Sequence, residues 1–133
     1  MTFFCPACFH EIPEGTGGCP HCGASIGDWD RRYSYGERLI QALDHPLAEV
    51  RMAAIIALGK RRDAAAAEPL ARCAQRHPAD VVEGLEIVRS VANLTPGRER
   101  SRALRRLRRY PARAVRREAA RLLAGSSRAP EEP

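Results

Sequence analysis

Val50-Arg51-Met52-Ala53-Ala54-Ile55-Ile56-Ala57-Leu58-Gly59 and Val115-Arg116-Arg117-Glu118-Ala119-Ala120-Arg121-Leu122-Leu123-Ala124 are two versions of one pattern. In both, apolar residues recur at intervals of three and four, the spacing of a helix with one buried face. Ala, the residue that costs least in a helix, fills much of the remainder. A weaker copy lies between them. There Val81, Leu85, Val88 and Ala92 form the stripe, and Val82 stands where the other two copies have Arg51 and Arg116.

Each copy is preceded by another helical stripe. Leu39, Ile40 and Leu43 end at Asp44-His45-Pro46, and Leu47, Val50, Ala54, Ala57 and Leu58 follow. Leu70, Cys73, Ala74 and His77 are opened by Pro69 and closed by Pro78. Ala103, Leu104, Leu107 and Tyr110 stop at Pro111, and Ala112, Val115, Ala119, Leu122 and Leu123 complete the third pair. Pro46, Pro78 and Pro111 are 32 and 33 residues apart. Six helices paired across turns at that period predict a mainly α fold, a short α-solenoid of three hairpins over residues 37–125. The three prolines are expected in the first turns of the second helices, and Gly59 and Gly125 as C-terminal caps.

The Val-Arg-x-x-Ala-Ala-x-Ala-Leu-Gly type of second helix, with Glu68-Pro69-Leu70 in a first helix, resembles the HEAT family, in its short phycobilisome-lyase-type form. That resemblance implies a protein-binding scaffold rather than an enzyme. It also implies a polar ladder between neighbouring repeats, to which Asp44 and Arg51 are matched; Arg76 and Arg109 stand at the other two Asp positions.

Ahead of the repeats, Cys5-Pro6-Ala7-Cys8 and Cys19-Pro20-His21-Cys22-Gly23 are two CxxC knuckles with ten residues between them. Two-residue spacing lets both sulfurs face one ion, and two knuckles supply a tetrahedral set. Cys5, Cys8, Cys19 and Cys22 are therefore expected to hold one structural zinc ion. Rubredoxin-like iron and a redox dithiol are the competing readings. Four sulfurs leave no open position for catalysis. Residues 1–27 are too few for a core of their own, so the metal must supply the folding energy. Glu14-Gly15-Thr16-Gly17-Gly18 is the expected hairpin tip between short strands. The segment resembles the short zinc ribbons at the N-termini of many bacterial proteins, but Phe9 stands where Gly usually follows the first knuckle.

Residues 28–36 contain Trp29, Tyr33 and Tyr35 and are expected to be an aromatic linker that packs the ribbon onto the open end of the first repeat. Cys73, on an apolar stripe, is expected to be a buried inert thiol. His45 and His77 occupy equivalent places before the turn prolines, where a histidine complements a helix C-terminus.

The 133 residues are 44% hydrophobic and 29% charged, a globular composition. The longest apolar run, Met52 to Leu58, is far short of the roughly 20 residues that span a membrane. Met1 to Cys5 lacks the features of an export signal, and the chain is expected to be cytoplasmic. Net charge is +6, and its source is local: residues 98–128 carry twelve Arg against Glu99 and Glu118. Arg102, Arg105, Arg106, Arg109, Arg113, Arg116 and Arg117 are the candidates for binding an anionic partner, because guanidinium groups pair with phosphate and carboxylate. No HExxH, GxSxG or phosphate-binding Gly loop is present, so no enzyme is expected. The expected function is a non-catalytic zinc-binding adaptor that binds a protein. The alternative is nucleic-acid binding through the ribbon and the Arg-rich third repeat. Residues 126–133 are expected to be a flexible tail.

Overall fold

The computed structural model describes residues 3–128. Strand β1 (Phe3–Phe4) pairs antiparallel with β2 (Glu11–Ile12), Phe3 opposite Ile12. Helices follow: α1 (Ile26–Arg32), α2 (Tyr35–Gln41) continued by a 3-10 turn (Ala42–Asp44), α3 (Ala48–Arg61), a second 3-10 turn (Ala64–Ala66), α4 (Ala67–Arg76), α5 (Val81–Asn93), α6 (Arg98–Leu107) and α7 (Arg113–Arg128). The first and second helices of successive pairs stack in two layers, α3, α5 and α7 in one, and in the other α4 and α6, with α4 meeting the 3-10 turn that continues α2. This is a small α-solenoid.

One continuous core joins the layers. Leu43, Ile55, Leu58, Leu70, Ile87, Val91, Leu104, Leu107 and Val115 are all buried in it, and Cys73 lies among them as expected. Local chemistry sets the helix starts. Ser34 and Glu37 form a reciprocal capping box at α2, and the Asp80 carboxylate accepts from the Glu83 N–H at α5.

Several expectations change. The paired strands flank the first knuckle, so the knuckle is itself the hairpin tip; residues 14–18 connect to the second knuckle. The expected aromatic linker is mostly helix, as α1 and the start of α2. Pro46, Pro78 and Pro111 lie two or three residues before the first helical residue, not in the first turn. There they hold the preceding residue out of the helical region, and His45 is accordingly extended at φ −64°, ψ 140°. Gly59 does not end α3, which runs on to Arg61 and is closed by Arg62 in the left-handed region at φ 59°. Gly125 likewise lies inside α7. The expected tail at 126–133 begins as three further residues of that helix; residues 129–133 lie outside the described part of the chain.

Gly59 has a different task. A Cβ there would meet Ser90 Cα at 2.9 Å, so its bare backbone lets α3 and α5 touch. The face of α5 is also rotated from the expected one. Gly84, Ile87, Val88 and Val91 point inward, while Val81 and Val82 are exposed, Val82 by 71%. Counted from each helix start, Gly84 rather than Val82 is the counterpart of Arg51 and Arg116: each is the fourth residue.

Candidate metal centre and basic ridge

Each knuckle turns its backbone toward its own sulfurs. The Ala7 N–H points at Cys5 Sγ (3.4 Å) and the His21 N–H at Cys19 Sγ (3.3 Å). The Phe9 and Gly23 N–H groups close the turns onto the Cys5 and Cys19 carbonyls at 2.8 and 2.9 Å. Both closing residues have positive φ, 64° for Phe9 and 79° for Gly23. Phe9 therefore keeps the turn that Gly makes elsewhere, at the steric cost a bulky residue carries there.

The four sulfurs converge to separations of 3.6–3.8 Å. A regular tetrahedron with edges of 3.7 Å has its centre about 2.3 Å from each corner, the zinc–thiolate distance. The residues thus fit a four-coordinate metal ion. His10 Nδ1 lies 3.3 Å from Cys8 Sγ, placed to donate to a thiolate when protonated, and its ring stacks on His21 at 4.3 Å.

This small unit rests on the first repeat through Phe4 and Phe9. Their rings meet the His45 imidazole at 4.7 and 5.2 Å. That contact accounts for a bulky residue in a left-handed turn: Gly would hold the turn but leave His45 uncovered. Trp29 packs on Tyr33 and donates from its indole to Gln41 Oε1 at 3.0 Å, whereas Tyr35 is more than half exposed, with Arg38 and Arg61 near its ring. Phe4 and Phe9 thus dock the unit, a role the sequence analysis did not give them; Phe9 in a glycine position was the signal.

His45 is buried and accepts from the Leu47 N–H at Nδ1, 3.1 Å. Burial, with the Arg51 charge, holds its imidazole below the usual histidine range, so it is neutral and does not serve the helix end as a cation. Arg51 spans the turn. It donates to the His45 and Pro46 carbonyls at 2.9 and 3.2 Å, and to the buried Glu83 carboxylate at 3.1–3.3 Å. Arg116 repeats the backbone half, reaching the Tyr110 and Pro111 carbonyls. In the middle repeat Gly84 has no side chain to do so. The Tyr110 ring fills the space above it, and the Tyr110 hydroxyl donates toward the His77 and Asp80 carbonyls at 2.9 and 2.8 Å. The ladder implied by the family resemblance is therefore realised differently. Arg51 pairs with Glu83, Arg76 pairs with Asp44, and Tyr110 takes the middle rung.

Glu83 also gathers Cys73 Sγ at 3.2 Å and His77 Nδ1 at 3.1 Å. Cys73, His77 and Glu83 are close enough to share an ion, but the Arg51 guanidinium already neutralises the carboxylate. Burial, then the hydrogen bond to Glu83, pushes the Cys73 thiol up to about 12, which makes it a poor nucleophile.

The candidate arginines fall into separate groups. Arg106 is held by Glu68 and Gln75, and Arg116 by the two carbonyls, so both serve the fold. Arg102 and Arg105 are exposed and form a stripe with Arg98, opposite the buried Ala103, Leu104 and Leu107 of α6, and Arg109 is exposed in the turn after it. Arg113 and Arg117 are exposed on α7, opposite its buried Val115 and Ala119, and so face outward from the other layer. The seven candidates do not make one surface.

Residues 23–88, from the end of the second knuckle to the middle of α5, match the family model of HEAT repeats. No curated protein and no solved structure matches the chain. No helix among the described residues is long and apolar enough to cross a membrane.

Proposed function

We propose that this chain is a non-catalytic, zinc-stabilised scaffold that binds a protein on the outer side of its second-helix layer. The observation that carries the reading is the HEAT match over paired helices whose second layer leaves Ile56 and Val82 exposed, Ile56 by 38%. Both are turned away from the buried stripes of their helices. Such repeats present extended surfaces formed by consecutive helices, and buried apolar anchors supply most of an interface's energy.

Zinc is the ion of choice for four thiolates at tetrahedral spacing, and with no open position it shapes the chain rather than a reaction. Retained thiolates suit a reducing compartment, in keeping with a cytoplasmic protein. The tethered ribbon covers the end of the first repeat, which would otherwise be bare.

Affinity capture from the source organism's lysate tests the reading, with the full chain and with Ile56→Asp/Val82→Asp. A protein held at stoichiometric level by the parent and lost from the variant, with helical circular dichroism unchanged, is the expected result. No protein above background, or equal retention by the variant, would refute it.

A further inference from the structure

The ion pairs divide the basic residues into two populations. In the first two repeats arginines face acids: Arg38 with Asp30, Arg51 with Glu83, Arg72 with Glu68, Arg76 with Asp44 and Arg89 with Glu86. In the third repeat Arg106 pairs with Glu68 and Arg121 with Glu118, but a second group of arginines at α6 faces no acid. Arg98, Arg102 and Arg105 follow one another at intervals of four and three, which puts them on a single line along the helix, and Arg109 stands in the turn that leaves its C-terminus. All four are exposed, and none forms an ion pair within 4.0 Å among the described residues. Arg102 adds to the positive surroundings that hold the Glu68 carboxyl below its usual range, but that carboxylate is already taken by Arg106.

The ridge has no structural employment. It lies opposite the buried face of α6, so removing its charge leaves the core untouched. Three like charges within about 10 Å of helix, with a fourth in the turn beyond, repel one another, and an anionic ligand would relieve that cost.

The face also lacks what a protein interface needs. Among the described residues the large exposed apolar ones are Tyr35, Leu47, Ile56, Val81 and Val82, and none lies on α6. Tyr110, the nearest aromatic, is buried with its hydroxyl committed to two carbonyls, so no ring is offered for base stacking. Charge without an apolar anchor disfavours an acidic protein. Charge without stacking aromatics disfavours single strands.

We infer that the Arg98–Arg102–Arg105 ridge of α6, with Arg109 in the turn that follows, binds the phosphate backbone of a nucleic-acid duplex without reading its sequence. The site is on the opposite layer from Ile56 and Val82, so it is independent of the protein-binding reading. The ribbon, docked at the far end on the first repeat, takes no part.

Fluorescence anisotropy with a labelled mixed-sequence DNA duplex of about 20 base pairs and the full chain tests this. Four phosphates neutralised give a log–log salt slope of about −3.6, a loss of about 150-fold in affinity between 50 and 200 mM salt. R98Q/R102Q/R105Q/R109Q should abolish binding at 50 mM salt while keeping the parent's circular dichroism and melting temperature. R113Q/R117Q, on the other layer, should bind like the parent. Absence of binding by the parent at 50 mM salt would overturn the proposal, as would full binding by the ridge variant. Tighter binding of a single strand of equal length would overturn it too. So would displacement of the duplex by poly-glutamate at equal charge concentration, which would assign the ridge to an acidic protein.

Discussion

Gly59→Ala is the sharpest test of how the two layers pack. Inside an exposed helix this change stabilises by about 0.5–1 kcal/mol, because Ala has less backbone entropy to lose. Here the new methyl would sit 2.8 Å from Ser90 Oγ and 2.9 Å from Ser90 Cα. The hydroxyl can rotate, but the Cα belongs to the backbone of α5, so the helices must part. Overpacking of this kind costs about 1–3 kcal/mol. Displacing the Ser90 hydroxyl from the Ile55 carbonyl, a 2.7 Å bond, costs about 1 kcal/mol more. The losses exceed the gain, and the net is a destabilisation of about 1–3 kcal/mol. For a chain of this length each kcal/mol is worth about 3–5 °C, so a thermal melt followed at 222 nm should drop by about 3–15 °C. Gly125→Ala is the control: a Cβ there meets nothing within 4 Å, and its melt should stay level or rise. A higher melting temperature for Gly59→Ala would refute the close approach of α3 and α5.

Protein purified without chelator should carry one zinc ion per chain by elemental analysis. Stripping it should release Phe4 and Phe9 from His45 and lower the melting temperature; a metal-free chain with an unchanged melt would refute the four-sulfur site. Arg51→Met should destabilise by about 3–5 kcal/mol in urea unfolding, since it takes the guanidinium away from the buried Glu83 carboxylate and leaves it only Cys73 and His77. Adding Glu83→Leu should recover much of that, and failure to do so would sink the pairing argument. Cys73 should resist iodoacetamide at pH 8 in the native chain and react on unfolding, as mass spectrometry would read. His45 supplies a pH dependence: folding holds its imidazole below the ordinary 6.5, so the unfolded chain binds the extra proton. Its contribution is complete above that pH and declines as pH falls below it, and His45→Gln should flatten that part of the stability profile.

The repeats were legible because their signal is redundant: each stripe has several apolar residues, and one error does not move the helix. The cysteines were legible because ligand spacing is a local geometric demand. The misreadings have physical causes. Glycine ends helices and also permits close packing; Gly59 and Gly125 were read as ends, yet Gly59 serves packing. The face of α5 turned because one inward position is Gly84, which has no side chain to count. Another is Glu83, buried only because Arg51 reaches it from 32 residues away. Helix α1 holds Asp28, Trp29, Asp30, Arg31 and Arg32, too polar to show a stripe, and none of its residues is buried. The arginine ridge was visible as charge but not as a line, since only the ion pairs separate the free guanidinium groups from Arg106 and Arg116.

Tyr110 fastens the turn of the hairpin before its own, across a gap that Gly84 leaves for its ring. The units are consequently not interchangeable beads. A duplicate of the first hairpin spliced in after the second would bring His45 to that place, and an imidazole is too short to reach the two carbonyls. Lengthening the array by copying that hairpin would leave a loose joint at the insertion, because the order of these units is held by a single phenol.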